Sequence, residues 1–191
     1  MPLVNFALDN DYQEMFEAID ACYSKALQIP CLVLIYTTID SLGWLAYGDM
    51  EKSAKNRFVH WAATYLMPSL SSEFSALDLY AARCSILHGL SWESNLSQTR
   101  QTKHLIYAMG KNTDTAPELS KAFFSDRTVA CLHVEKFISS LRTSFSDFYE
   151  QVKGDPIMTA RLRRAQGKIF GKIPIDLYEK TMQEIARKKG I

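Results

Sequence analysis

Ala130, Val134, Phe137, Ile138, Leu141, Phe145 and Phe148 fall three or four positions apart. That spacing returns each side chain to the same face of a 3.6-residue helix, so Asp126–Tyr149 is predicted as one long helix with an apolar stripe. A stripe this rich in aromatic rings is core material and has to be covered by other elements.

The same period runs through most of the chain. Tyr12, Met15, Phe16, Ile19, Tyr23, Ala26 and Leu27 mark a first helix, about Asn10–Gln28, and Pro30 stands where that helix must stop or bend. In Cys31–Gly48 the run Leu32–Tyr36 suits a buried strand or a buried helix. Segment length and the spacing of Ile39, Leu42 and Leu45 favour the helix. A third helix over Ala54–Met67 buries Phe58, Trp61, Ala62, Tyr65 and Leu66 ahead of Pro68, and Ser69–Ser75 reads as a loop. Ser75 and Asp78 have the spacing of a helix start, where a hydroxyl and a carboxylate take up free backbone N–H groups. Ala76–His88 follows, apolar all round and therefore central, with Gly89 placed to end it in the left-handed conformation. Ser91–Gln101 is a polar connection containing Trp92 and Arg100, and Lys103–Met109 a short strand or extended segment. Lys111–Ala116 is a loop, and Pro117 suits the opening of the next helix. Pro156–Gln166 and Ile175–Lys189 complete the helices. The expected fold is all-α: a compact antiparallel bundle of about six or seven helices with at most one short strand pair.

Composition limits the chemistry. Cys22, Cys31, Cys84 and Cys131 are widely spaced, with no Cys-x-x-Cys pair. His60, His88, His104 and His133 lie far apart, and none has a ligand-type neighbour at metal-binding spacing. No phosphate-loop, dinucleotide, nucleophile-elbow or zinc-protease motif is present. The sequence therefore calls for no metal and no cofactor. Met1–Asn10 lacks the basic start and apolar run of a signal peptide, and Cys31–Tyr47 contains Asp40 and falls short of the ~20 apolar residues of a membrane span. A cytoplasmic location without membrane contact is expected.

One segment stands out, Leu79-Tyr80-Ala81-Ala82-Arg83-Cys84-Ser85-Ile86-Leu87-His88-Gly89-Leu90. A charge inside so apolar a helix needs a partner, because burying an unpaired charge is costly. Asp78 or Asp40 could pair with Arg83, leaving His88 as a last-turn cation favoured by the helix dipole. Five positions on an ideal helix turn about 140°, so Arg83 and His88 do not share a face. They converge if the helix ends before His88, or if two chains pool their residues across a two-fold axis.

The segment resembles the Arg-x4-6-His signature of the HEPN superfamily, and Tyr36-Thr37-Thr38-Ile39-Asp40-Ser41-Leu42 is similar to the early buried helix of several HEPN groups. The likeness covers roughly Asp11–Leu90, with Asp126–Tyr149 fitting as a later bundle helix. It implies a metal-independent endoribonuclease of defence or toxin type, active as a homodimer through the Arg83–His88 helix. His88 would be the general base on a ribose 2′-hydroxyl and Arg83 the phosphate ligand. Cys84 stands where many active members carry Asn, Asp or His, and Ser85 could add a polar contact or bond back to its own helix. A protein antitoxin is a further partner implied by the resemblance, although Leu90 replaces the tyrosine through which one subgroup is silenced. The alternative is a non-catalytic HEPN-like module that binds RNA, a nucleotide or a protein.

Charge is unevenly spread. From Arg161 to Ile191 nine basic residues face three acidic ones, against 13 basic and 18 acidic in the first 160. Residues 1–153 are read as the HEPN-like bundle and 154–191 as a basic helical extension packed on the same domain. Arg161, Arg163, Arg164 and Arg187 are candidate contacts to RNA phosphates, unless they form only a solvated face.

Overall fold

The computed structural model describes the backbone of residues 6–70, 72–91, 101–110, 128–166 and 175–189, with positions 96, 99, 118 and 122. Trp92, Arg100, Lys111–Ala116 and Pro117 lie outside the described residues. Among the described residues seven helices and one strand pair are seen: α1 Phe6–Ser24, α2 Gln28–Tyr47, α3 Ala54–Trp61, α4 Ala76–Gly89, β1 His104–Ala108, β2 Val129–His133, α5 Val134–Gly154, α6 Pro156–Gln166 and α7 Ile175–Lys189. This is the expected helical bundle with one short strand pair.

The core is built where the sequence periodicity places it. Tyr12, Phe16 and Ile19 of α1, Ile35, Tyr36, Ile39 and Leu42 of α2, Phe58 and Trp61 of α3, and Phe137, Leu141 and Phe148 of α5 form one buried cluster. Helix α2 is its centre, with ten buried residues along 20. By length and composition alone this helix is long and apolar enough to cross a membrane, and 56% of that stretch is buried inside the bundle. Leu162 and Ala165 of α6 enter the same core.

Four local expectations are corrected. Helix α1 ends at Ser24, and the chain turns through Ala26 in the left-handed region (φ 53°). Pro30 therefore lies in the first turn of α2, where its missing N–H would have had no intrahelical acceptor. The third helix does not run evenly to Met67. It widens to a π-turn over Ala62–Leu66 and tightens to a 3-10 turn over Met67–Ser69, because Pro68 offers no N–H and crowds the carbonyl four residues back. The long helix begins at Val134 rather than near Asp126, since Val129–His133 pairs as a parallel strand with β1. The short apolar run Val129–Leu132 suits a buried strand, and the four-residue step from Ala130 to Val134 concealed the change of period. Finally, Gly89 is the last residue of α4 and Leu90 takes the left-handed position beyond it (φ 46°, ψ 32°).

Helix α4 starts as the sequence implies. Ser75 Oγ accepts from the Asp78 N–H, and Asp78 Oδ2 accepts from the Ser75 N–H at 2.7 Å, a complete capping box. Asp78 is 7% exposed and its other oxygen accepts from the Lys103 N–H at 2.7 Å, tying the helix start to the approach to β1.

Candidate functional site

No residue between Ala76 and Leu87 is exposed, and His88 is the first that is. The helix thus carries its charge out of the core only at its end. Arg83 is half-buried and turns toward α2, where Asp40 receives it. Both Nε and Nη2 donate to Asp40 Oδ2, each at 2.7 Å. Of the two carboxylates the sequence offered as partners, the fold uses Asp40, and Asp78 is committed to the helix cap.

The remaining arm of the guanidinium points at His88, with Nη1 and Nε2 3.0 Å apart. A guanidinium can only donate, so Nε2 accepts, and the imidazole in this arrangement is neutral with its proton on Nδ1. Arg83 and His88 therefore meet within one chain. The 140° of helix between them is spanned by the long arginine side chain, helped by the end of α4 one residue later. Side-chain reach brings the two together without a second chain.

Electrostatics follow from partial burial. Burial pushes the Asp40 carboxyl above its ordinary value, against the pull of the Arg83 hydrogen bond and of the charges on Arg83 and Arg57. Burial alone would lower Arg83, but the Asp40 hydrogen bond and charge outweigh it and hold the guanidinium's pKa above its usual value. The guanidinium also lies 5.9 Å from the centre of the Tyr80 ring. Burial, then the contact with Cys84, raises the Tyr80 phenol. Cys84 thus interacts with both Tyr80 and Arg83. Ser85 is buried and its hydroxyl donates to the Ala81 carbonyl at 3.1 Å, the back-bonded alternative.

Arg57 and Trp44 were not foreseen from the sequence. Arg57 lies 4.7 Å over the Trp44 ring, and its Nη1 donates to the Glu51 and Lys52 carbonyls. Trp44 is one turn beyond Asp40 on α2. The i, i+4 pair was legible, but the arrival of Arg57 from another helix was not.

The basic C-terminal residues are not brought to this site as a group. Asp49 pairs with Arg161 Nε at 3.3 Å and with Arg164 Nη2 at 2.8 Å, which fastens α6 to the end of α2. Arg163 and Arg187 are exposed. Among the described residues, no three His, Cys, Asp or Glu side chains stand together as a metal site would require.

Comparison with protein-family models, with curated proteins and with solved structures finds no match.

Proposed function

We propose that the chain is a HEPN-type, metal-independent endoribonuclease with Arg83 and His88 as its catalytic pair. The observation that carries this reading is the 3.0 Å approach of Arg83 to His88 at an exposed helix end, with the arginine anchored by Asp40. On RNA, a phosphate would take the Nη1 arm of Arg83 and free the His88 Nε2 lone pair. His88 then removes the 2′-hydroxyl proton, the 2′-oxygen attacks the adjacent phosphorus, and the P–O5′ bond breaks. The products are a 2′,3′-cyclic phosphate and a 5′-hydroxyl, whose oxygen collects a proton. Arg83 offsets the charge that builds on the phosphoryl oxygens. DNA, lacking the 2′-hydroxyl, is not a substrate.

The resemblance supports a homodimer and a protein antitoxin as partners, with RNA as substrate. Arg163, Arg164 and Arg187 are exposed and remain candidates for phosphate contact with Arg161, although Arg161 and Arg164 also pair with Asp49. The non-catalytic reading draws on one observation: Arg83 already gives Nε and Nη2 to Asp40, as a purely structural ion pair would.

The test is cleavage of single-stranded RNA by the purified chain in EDTA, with end-group analysis for cyclic phosphate. His88→Ala should slow cleavage by ~10²–10⁴-fold, the usual loss on removing a general base. Arg83→Ala should be similarly impaired, and Cys84→Asn should keep or raise activity. Equal behaviour of wild type and His88→Ala on a broad RNA panel, with binding intact, would replace the enzyme by the binding module.

A further inference from the structure

Among the described residues β1 pairs only with β2, so β1 has an edge that β2 does not cover. The direction of that edge follows from the ladder. The His104 N–H donates to the Thr128 carbonyl beside β2, and in a parallel pair the backbone groups alternate between the two sides. Leu105 and Tyr107 therefore turn their N–H and C=O groups away from β2. The Tyr107 carbonyl confirms it, accepting from Gln28 Nε2 at 3.1 Å. Among the described residues, nothing takes the Leu105 N–H, the Leu105 carbonyl or the Tyr107 N–H.

These groups open onto a cleft of about 340 Å³ between the start of α2 and the end of α4. Its walls include Ile29 and Leu32 on one side and Ile86 and Leu90 on the other, and among the described residues that line it none is charged. Ile29 and Leu90 are 53% and 68% exposed, large apolar side chains held in water at the rim.

We propose that this cleft receives an extended, uncharged segment of another protein, which joins β1 as a third strand. Unpaired backbone donors and acceptors at strand spacing are matched by another extended backbone, and the apolar walls accept its alternate side chains. The described lining offers a phosphate no cation and suits an uncharged segment. A second copy's β1 brings its own α2 and α4 walls with it, whereas a free extended segment does not. Because Ile86 and Leu90 belong to the helix that carries Arg83 and His88, the bound strand lies against the back of the candidate catalytic helix. The inference stands whether or not that helix cleaves RNA.

The experiment pans random peptides of about a dozen residues, enough to span a five-residue strand and its flanks, against the full chain, counter-selecting on Ile29→Glu. Both Ile29→Glu and Leu90→Asp change exposed side chains, and circular dichroism checks that each variant is folded. A retained peptide, synthesised alone, should slow hydrogen exchange at the Leu105 and Tyr107 amides. It should bind at least about tenfold more weakly to Ile29→Glu and to Leu90→Asp, and N-methylation of its β1-facing amides should abolish binding. The proposal is overturned if no peptide distinguishes wild type from the variants, or if the bound peptide leaves both amides exchanging freely. It is also overturned if those amides become protected with chain concentration alone and Ile29→Glu removes the effect, since a second copy would then own the edge.

Discussion

Replacing Asp40 by alanine leaves the Arg83 guanidinium half-buried with its Nε and Nη2 donors unmatched. The side chains of the pair are 16% and 24% exposed, between a surface ion pair and a buried one. Exposed pairs contribute about 0–1 kcal/mol, and breaking a fully buried one costs about 3–5. Asp40→Ala should therefore destabilise the fold by about 2 kcal/mol, near the value of two charge-assisted hydrogen bonds less the water that can enter. Burial lifts the Asp40 carboxyl despite the arginine, so desolvation outweighs attraction at this position. Replacing both partners by apolar residues, Asp40→Leu with Arg83→Met, should then recover stability to within about 1 kcal/mol of wild type. Urea unfolding with a shared slope measures all three chains. The reasoning fails if Asp40→Ala unfolds within about 0.5 kcal/mol of wild type, or if the double variant shows the sum of the two single losses. The pH dependence has a definite sign. An acid raised in the fold contributes stability fully below its unfolded value, about 3.9 for aspartate, and loses it as pH rises through the folded value. RNA cleavage should move the other way, falling as acid protonates Asp40 and releases Arg83, at a pH above that of an ordinary aspartate.

Asp78→Ala removes three 2.7 Å acceptor contacts, to the Ser75 N–H, the Ser75 hydroxyl and the Lys103 N–H. It should lower stability by about 2–3 kcal/mol, more than a helix cap alone, as read by thermal or urea unfolding. Leu90→Gly relieves a left-handed residue whose side chain is 68% exposed, and should raise the unfolding midpoint slightly, by about 0.5–1 kcal/mol of stability. The Arg164 hydrogen bond, then the charges of Arg161 and Arg164, hold the Asp49 carboxyl below its usual value. Its stabilising effect is present above the unfolded aspartate value and is lost as pH falls through the lower folded one. Asp49→Lys should release α6, seen as faster amide exchange across Pro156–Gln166, and added salt should weaken the wild-type attachment in the same direction.

The sequence by itself determined the helical class, the capping box at Ser75 and Asp78, most helix boundaries and the peculiarity of Arg83. All of these are written in patterns of a few residues, where side-chain spacing and local backbone demands coincide. It also narrowed the partner of Arg83 to two carboxylates. What it left open was decided by contacts between segments distant in the chain. Asp40 rather than Asp78 meets Arg83 because α2 crosses α4 there, and Asp49 draws in Arg161 and Arg164 from more than a hundred positions away. Val129–His133 leaves the helical pattern because β1 stands ready to pair with it, and hydrogen bonds between strands outweigh a local period that suits either state. Arg83 reaches His88 across 140° of helix because Asp40 fixes its Nε end and the terminus of α4 leaves the imidazole free to meet the other arm. Spacing along a chain sets which faces residues occupy; only packing sets which side chains are held still, and from which direction.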